Sequence, residues 1–170
     1  MPIPLNSLRA AARRSYTVMR MKTVDEAYQR RKQTAFLCHS HDDQDLAAGL
    51  EILLYENGWE LYIDWKDNSM PEKPDRRTAQ RIQERILSLD WFLFLATPNS
   101  TSSRWCPWEI GYADKSKSLE RILVIPTSDQ TGRWYGNEYL QLYKQLTSAT
   151  GGLEVFPAGQ TTDGVSIRNL

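Results

Sequence analysis

The 170-residue sequence contains only two cysteines, Cys38 and Cys106, and only two histidines, His39 and His41. Two cysteines cannot form the disulfide framework of a small secreted domain, so we expect both to be reduced, buried thiols. Two aspartates follow the histidines, but no further ligand stands at a recognised spacing, and no metal site is predicted. Cys106 has no convincing histidine partner nearby in the sequence, which argues against a cysteine nucleophile.

The sequence also lacks long apolar runs and glycine-rich phosphate loops. No run approaches the roughly 20 apolar residues that span a bilayer, and the N-terminus lacks the apolar core of a secretory signal. Neither G-x-G-x-x-G nor a Walker pattern occurs, which argues against a conventional Rossmann dehydrogenase and against an NTPase. We therefore expect a cytoplasmic protein that does not act in a membrane.

Formal net charge is zero, but the charges are distributed unevenly. Residues 1–32 hold eight Lys or Arg and two Asp or Glu, a net charge of +6 that the rest of the chain balances. Such a segment can bind nucleic acid or membrane, or dock on a protein domain. We do not expect nucleic-acid binding, because no regular aromatic stripe accompanies the basic residues. A basic helical extension is predicted here, with a helix that begins at the capping box Thr23-Val-Asp-Glu26.

The remaining residues alternate between apolar runs and amphipathic stretches, in a chain that is 41% hydrophobic and 25% charged. That composition is typical of an ordinary globular protein. Five strands are predicted, at 34–38, 59–63, 91–96, 121–125 and 153–156, and the helices between them include 77–88 and 137–147. The alternation predicts an α/β fold with a doubly wound, five-stranded parallel sheet in the order 2-1-3-4-5 and helices on both faces.

In that strand order the first and third strands are neighbours, and the switch point of the sheet lies between them. Ligands of such folds bind outside the carboxyl ends of the strands at this point. Two loops would meet there, 39–43 with the sequence HSHDD and 97–109 with the sequence TPNSTSSRWCPWE. The topology therefore predicts a binding site that includes the end of the second loop.

Glu109 lies in that region among three large aromatic residues, Trp105, Trp108 and Tyr112. An aromatic plane beside a carboxylate suits a nucleotide or sugar, since the ring stacks on flat groups and the carboxylate accepts hydrogen bonds from ribose hydroxyls. A carboxylate can also stabilise the oxocarbenium character that develops when a glycosidic bond breaks. The alternative is that the tryptophans pack in the core and Glu109 is solvated, and composition alone favours it.

Whether Trp105 and Glu109 share a helix face depends on where the helix begins. Residues four apart in a helix lie on one side. Pro107 must then fall within the first turn, where its missing N–H is harmless. Ser102 or Ser103 is the natural cap for such a helix.

Taken together, these segments resemble a Toll/interleukin-1 receptor (TIR) domain. The segment TAFLCHSHDDQDLA is similar to the first sequence box of that family, and NGWELYIDW resembles its second strand. The strongest resemblance is in IQERILSLDWFLFLATPNSTSSRWCPWEIGYA, with its Pro-Asn-Ser turn and Ser-x-Trp-Cys-x-x-Glu pattern. The resemblance covers about residues 33–157, so we assign 1–32 as the extension, 33–157 as the domain and 158–170 as a tail.

The resemblance implies a flavodoxin-like fold and, for many members, cleavage of the nicotinamide–ribose bond of NAD. NAD is then the substrate, and no cofactor or metal is expected. Carried over position by position, the resemblance implies these site residues: Glu109 as the catalytic glutamate, with Trp105, His39, Ser40, Asp64 and Trp65 as substrate-binding residues. Trp108 and Tyr112 are expected to pack the helix onto the sheet.

The segment 64–76 corresponds to the long loop of the family, through which members self-associate. This loop departs from the usual pattern because it lacks the loop glycine and carries Met70-Pro71. Outside the loop, Cys38 stands where a serine is common.

A chain of this size resembles the stand-alone TIR proteins of bacterial anti-phage systems such as Thoeris. The resemblance therefore implies a nucleotide product, ADP-ribose-type, cyclic or conjugated, to which a separate effector protein responds.

Two other functions are compatible with the sequence. One is a TIR scaffold or adaptor that acts by self-assembly, without essential catalysis. The other is a glycosyl enzyme similar to a nucleoside deoxyribosyltransferase, which also uses a carboxylate near a ribose. Turnover of deoxynucleosides without turnover of NAD would indicate the latter.

Overall fold

A computed structural model describes residues 1–14, 32–67 and 75–170. Its helices are α1 (Leu5–Ala12), α2 (Gln44–Tyr55), α3 (Arg76–Ser88), α4 (Pro98–Ser102) and α5 (Cys106–Ser116). Its strands are β1 (Ile3–Pro4), β2 (Gln33–Cys38), β3 (Trp59–Tyr62), β4 (Trp91–Ala96), β5 (Ile122–Ser128), β6 (Trp134–Tyr135), β7 (Lys144–Ala149), β8 (Gly152–Phe156) and β9 (Val165–Ser166). Short 3₁₀ turns include His41–Asp43, Asp64–Lys66 and Glu138–Leu142. None of the helices in the described ranges has the length and apolar character needed to cross a membrane.

The central sheet has the order β3-β2-β4-β5-β7-β8-β9. Its first five members pair in parallel, and β7-β8 and β8-β9 pair antiparallel. The first four predicted strands correspond to β2, β3, β4 and β5, and their predicted order is confirmed. Because β2 and β4 are neighbours, with Cys38 opposite Phe94, the switch point lies where the sequence predicts it.

The fifth position of the sheet differs from the prediction. The helix predicted at 137–147 is wrong, because a 3₁₀ turn leads there into β7, which pairs in parallel with β5. The strand predicted at 153–156 exists within β8 but pairs antiparallel with β7. Apolar residues at helical spacing suggested a helix. The hairpin that follows supplies backbone partners to β7 instead, and Gly152 begins β8 with a φ of 120° that favours glycine.

Two hydrophobic clusters cover the faces of the sheet. One packs α1 and α2 against one face, and the other packs α3 and α5 against the opposite face. All six residues of β4 are buried, as expected for a central strand covered on both sides. The two layers hold the carboxyl ends of β2 and β4 in fixed positions beside α5.

The first 14 residues are part of the main core. Ile3 and Leu8 belong to the cluster around α2, and β1 pairs in parallel with the end of β5. Ile167, in the predicted tail, belongs to the same cluster, and its carbonyl accepts a hydrogen bond from Trp59 Nε1 at 3.1 Å. The boundaries at 32 and 157 stay predictions, but both flanking segments contribute to this core. The helix predicted from Thr23 lies outside the described residues.

The contact between α1 and α2 depends on a glycine, which gives a stability prediction. A Cβ on Gly49 would lie 1.9 Å from the carbonyl oxygen of Leu8, so Gly49→Ala must push α1 away. We expect it to lower the free energy of unfolding by about 1–3 kcal/mol, measured by urea denaturation.

Gly111, inside α5, is the matched control, because nothing lies within 4 Å of a Cβ added there. Gly111→Ala should raise the free energy of unfolding by about 0.5–1 kcal/mol through helix propensity. If both substitutions stabilise the protein equally, α1 does not pack on α2 as described.

Candidate active site

Asp43 joins the two loops at the switch point. It lies at the end of the turn that follows β2 and is almost fully buried. Its carboxylate accepts hydrogen bonds from Thr97 Oγ1 at 2.5 Å and from Asn99 Nδ2 at 2.7 Å. The Asp43 side chain makes no cap bond to α2, although Asp43 stands at the N-cap position of that helix. It fixes the loop after β4 to the loop after β2 instead.

The residues after β4 form a short helix because Thr97 and Ser100 cap it reciprocally. Thr97 Oγ1 accepts from the Ser100 N–H at 3.0 Å, and Ser100 Oγ accepts from the Thr97 N–H at 2.8 Å. Pro98 occupies the first helical position, where no N–H is required. The Thr97 hydroxyl is therefore held on one side by α4 and bonded to Asp43 on the other.

Ser103 defines the start of α5. Its hydroxyl accepts hydrogen bonds from the N–H groups of Trp105 at 3.1 Å and Cys106 at 3.3 Å. Pro107 lies in the first turn, and the Glu109 N–H donates to the Trp105 carbonyl at 2.9 Å. The predicted position of Pro107 in the first turn is confirmed. The Ser103 hydroxyl accepts cap-type hydrogen bonds as predicted, but the N-cap position itself is Trp105, two residues later, whose side chain makes no cap bond. The backbone places Trp105 one helical turn before Glu109.

Glu109 is buried, with 5% of its surface exposed, in the first turn of α5. Burial, followed by the influence of Cys106, raises the pKa of its carboxyl from 4.5 to about 8, while a hydrogen bond with the Cys38 thiol opposes the rise. Among the described residues no cationic group pairs with it. A carboxyl in such a place is mostly protonated near neutral pH, and a bound positive charge would favour its ionised form.

The two cysteines lie against this carboxyl. Both are free and fully buried, as predicted. The Cys38 thiol, at the end of β2, donates to the Cys106 carbonyl at 3.8 Å. Burial raises the pKa of Cys38 well above its ordinary value, so it remains a thiol that can donate a hydrogen bond to Glu109. Sequence reasoning noted Cys38 only as a departure from the family pattern.

His39 follows Cys38 and is also buried, with 8% of its surface exposed. Its Nδ1 lies 3.2 Å from the Leu37 carbonyl oxygen, and its Nε2 lies 4.0 Å from Asp64 Oδ1. Within the described residues Nε2 has no hydrogen-bond partner. Burial lowers the pKa of the imidazole, although Asp64 opposes this effect, and His39 is therefore neutral near neutral pH. Ser40, next in sequence, is buried and accepts from the Asp42 N–H at 3.4 Å.

The turn that carries Asp64 is anchored by residues that the sequence did not single out. Asp67 Oδ2 accepts hydrogen bonds from Tyr62 Oη at 2.6 Å and from Arg85 Nη2 on α3 at 3.2 Å. Lys66 pairs with Glu51 on α2. These contacts fix the start of the predicted 64–76 loop, while residues 68–74, with the Met70-Pro71 departure, lie outside the described ranges.

The distribution of the aromatic residues between the surface and the core differs from the prediction. Trp105 and Trp108 are 37% and 38% exposed and meet edge to face, with ring centroids 5.6 Å apart. Trp108 stacks on Tyr112 at 6.2 Å, and only Tyr112 packs against the core cluster. The expectation that Trp108 packs the helix onto the sheet is therefore wrong, since its position in the first turn of α5 directs it to solvent. Trp65 is also exposed, at 37%.

The structure brings three of the predicted site residues together. Asp64 Oδ1 lies 4.0 Å from His39 Nε2, and the charge of Asp64 raises the pKa values of both the imidazole and the Glu109 carboxyl. Trp65 follows Asp64 directly in the sequence, Trp105 precedes Glu109 by one helical turn, and both rings are exposed. No cluster of three His, Cys, Asp or Glu side chains among the described residues is arranged to hold a metal ion.

Comparison with known proteins identifies the family to which this chain is similar. Residues 35–151 match the sequence pattern of the TIR domain family. The chain is 33% identical over 117 residues to a Bacillus cereus (strain MSX-D12) protein named "Probable 3' cyclic ADP-D-ribose synthase ThsB'". That alignment covers 68% of this chain and 61% of the relative, so the chain spans less than two thirds of the relative's length. The predicted site residues all fall inside the matched region.

The raised pKa of Glu109 predicts an unusual dependence of stability on pH. The folded state binds this proton more tightly than the unfolded state, so the wild type loses stability as pH rises from 4.5 to about 8. Glu109→Gln removes the ionisation and keeps the hydrogen-bonding shape. We expect the variant to be more stable than the wild type at pH 8 and similar to it near pH 4.5, in urea denaturation at both values.

Glu84→Gln on α3 is the control, because Glu84 is exposed to solvent. Its free energy of unfolding should differ little from that of the wild type at either pH. A Glu109→Gln variant that is less stable than the wild type at pH 8 would show that the carboxylate is stabilised in the fold, contrary to this description.

Proposed function

This chain belongs to the TIR domain family, and on that premise we propose that it is an enzyme that cleaves the nicotinamide–ribose bond of NAD. The resemblance seen in the sequence is thereby confirmed at the level of the family. The observation that carries the proposal is the buried Glu109 carboxyl at the switch point, with its raised pKa and no cationic partner among the described residues. A buried carboxyl of this kind favours a ligand that brings its own positive charge.

The oxidised nicotinamide ring of NAD carries such a charge. A pyridinium beside Glu109 lowers the pKa of the carboxyl and favours the ionised form. When the C–N bond breaks, the electron pair leaves with nicotinamide and the positive charge moves to the ribose carbon. The ionised Glu109 then stabilises the oxocarbenium-like transition state at close range, in a site from which burial excludes water.

The proposed product is an ADP-ribose-type nucleotide. Capture of the ribose carbon by water gives ADP-ribose, and capture by a group within the molecule gives a cyclic isomer. The name of the Bacillus cereus relative supports the cyclic product. The proposed substrate-binding residues are Trp105, His39, Ser40, Asp64 and Trp65. The exposed rings of the two tryptophans are available to stack on a base.

The proposed setting is bacterial anti-phage defence of the Thoeris type, in the cytoplasm. A separate effector protein responds to the nucleotide, and the chain self-associates through its 64–76 loop. The family membership supports these assignments, and the contacts of Asp67 with Tyr62 and Arg85 support a fixed starting point for the loop.

The geometry favours an enzyme over a scaffold for a physical reason. A buried carboxyl with a pKa of about 8 is costly to ionise and adds nothing to an assembly surface. Such groups are typical of catalytic sites, where a shifted pKa matches a chemical task.

The test is nicotinamide release from NAD by wild type, Glu109→Gln and Glu84→Gln, followed by mass spectrometry of the nucleotide. We expect Glu109→Gln to reduce release by about 10²–10³-fold or more, because the transition state loses its counter-charge. Glu84→Gln should retain wild-type release. Thermal unfolding checks that all three proteins are folded.

Equal nicotinamide release by wild type and Glu109→Gln would remove the role given to this residue. Turnover of deoxynucleosides without NAD cleavage would favour the deoxyribosyltransferase-like reaction. Biological activity that survives Glu109→Gln but is lost on substitution within 64–76 would favour the scaffold.

A further inference from the structure

We propose that His39 is the general base that takes the proton from the hydroxyl group that captures the ribose carbon. This inference rests on the proposed NAD cleavage and assigns a second catalytic residue to the same site. It also specifies the class of nucleophile that captures the ribose carbon. A hydroxyl oxygen must lose a proton during its attack, whereas the ring nitrogen of a pyridine has none to lose.

The tautomer of His39 follows from its hydrogen bond. A carbonyl oxygen can only accept, so the contact of 3.2 Å between Nδ1 and the Leu37 carbonyl places the hydrogen on Nδ1. A neutral imidazole then carries a lone pair on Nε2. The position of His39 immediately after β2 therefore fixes which nitrogen is basic.

The basic nitrogen is available in the site. Nε2 is buried and has no hydrogen-bond partner among the described residues, which is costly unless a ligand group occupies that position. It faces the turn that carries Asp64, 4.0 Å from Oδ1. The charge of the same Asp64 also raises the pKa of Glu109, and Cys38, the residue before His39, hydrogen-bonds with that carboxyl. Nε2 and Glu109 are therefore linked through two shared neighbours.

The proton balance requires an acceptor at this position. Cleavage breaks the C–N bond, and the electron pair of that bond leaves with nicotinamide, which departs as a neutral molecule. Attack then forms a C–O bond, and the hydroxyl proton must leave for the product to be neutral at that oxygen. Nε2 accepts this proton to give an imidazolium, which releases it to solvent after the product departs.

Asp64 and Glu109 are less suited to the same task. If Glu109 took the proton, its negative charge would disappear while the positive charge on the ribose carbon is still present. Asp64 is partly exposed, with 19% of its side chain accessible, and at 4.0 Å from Nε2 it is placed to stabilise the imidazolium once it forms. The charged groups near His39 are Asp64, Asp43 and His41, and the two carboxylates favour its protonation while His41 opposes it.

The experiment separates cleavage from capture by measuring two rates on each protein. Net nucleotide product is measured from NAD alone, and incorporation of labelled nicotinamide into NAD is measured with added nicotinamide. The exchange reaction needs no base, because the incoming ring nitrogen has no proton to lose. We expect His39→Gln to lower product formation by about 10²-fold or more while exchange changes only a few-fold.

His41→Gln is the matched control, since His41 is the other histidine of the chain and is exposed. It should retain both rates. Asp64→Asn provides a second variant should His39→Gln fail to fold, and we expect it to lower product formation more than exchange. In the wild type the ratio of product to exchange should fall as pH decreases through the lowered pKa of His39, and in His39→Gln this step should be absent.

An equal fall in product and exchange for His39→Gln, with Asp64→Asn also lowering both alike, would overturn the proposal. So would an unchanged product rate in folded His39→Gln. A wild type that shows neither nicotinamide release nor exchange would instead refute the proposed NAD cleavage. Loss of both rates in Glu109→Gln, beside retained exchange in His39→Gln, would support the division between the two residues.

Discussion

The hydrogen bonds accepted by Asp43 are the constraint on which the site depends. They join the loop after β2 to the loop after β4, and so hold the two sides of the switch point together. Thr97 extends this constraint to α4, because the hydroxyl that bonds to Asp43 also caps that helix. The chain then has only a few residues before Ser103 starts α5. The position of Glu109 against Cys38 follows from this sequence of contacts, each of which is local or spans two neighbouring strands.

Burial of the Glu109 carboxyl lowers the stability of the fold near neutral pH and shifts the pKa of this group into the range of catalytic residues. Glu109 could have been solvated at the first turn of α5, where the helix dipole favours a negative charge. Glu109 does lie in that first turn, but its side chain is buried against Cys38 at the end of β2, where burial raises its pKa to about 8. The Cys38 thiol offers only a weak hydrogen bond to the ionised form. The carboxylate is thus left without strong stabilisation by the fold, and under the proposed reaction the cationic substrate supplies it.

The parts of the fold that could be predicted are those determined by local pattern. The apolar runs predicted strands β2 to β5 and their order. Ser103 and Pro107 predicted where α5 begins, to within a few residues. The helix at 137–147 was wrong because apolar spacing there is compatible with a helix, whereas pairing of β7 with β5 and β8 is a tertiary effect. The Asp43 bridge and the Arg85–Asp67 pair were missed for the same reason, because both join residues far apart in sequence.

The pKa values of Glu109 and His39 are shifted by the same cause, burial, but in opposite directions. Burial favours the uncharged form of each, so the fold by itself supplies a protonated acid and an unprotonated base. A nicotinamide cation changes only the first of these, because it lowers the pKa of the carboxyl and disfavours a second positive charge on the imidazole. Under the proposed reaction, binding therefore ionises Glu109 and keeps His39 basic. The charge of the substrate therefore sets the protonation state of Glu109 that cleavage requires and preserves the neutral His39 that capture requires, whereas a neutral nucleotide in the same site would leave Glu109 protonated.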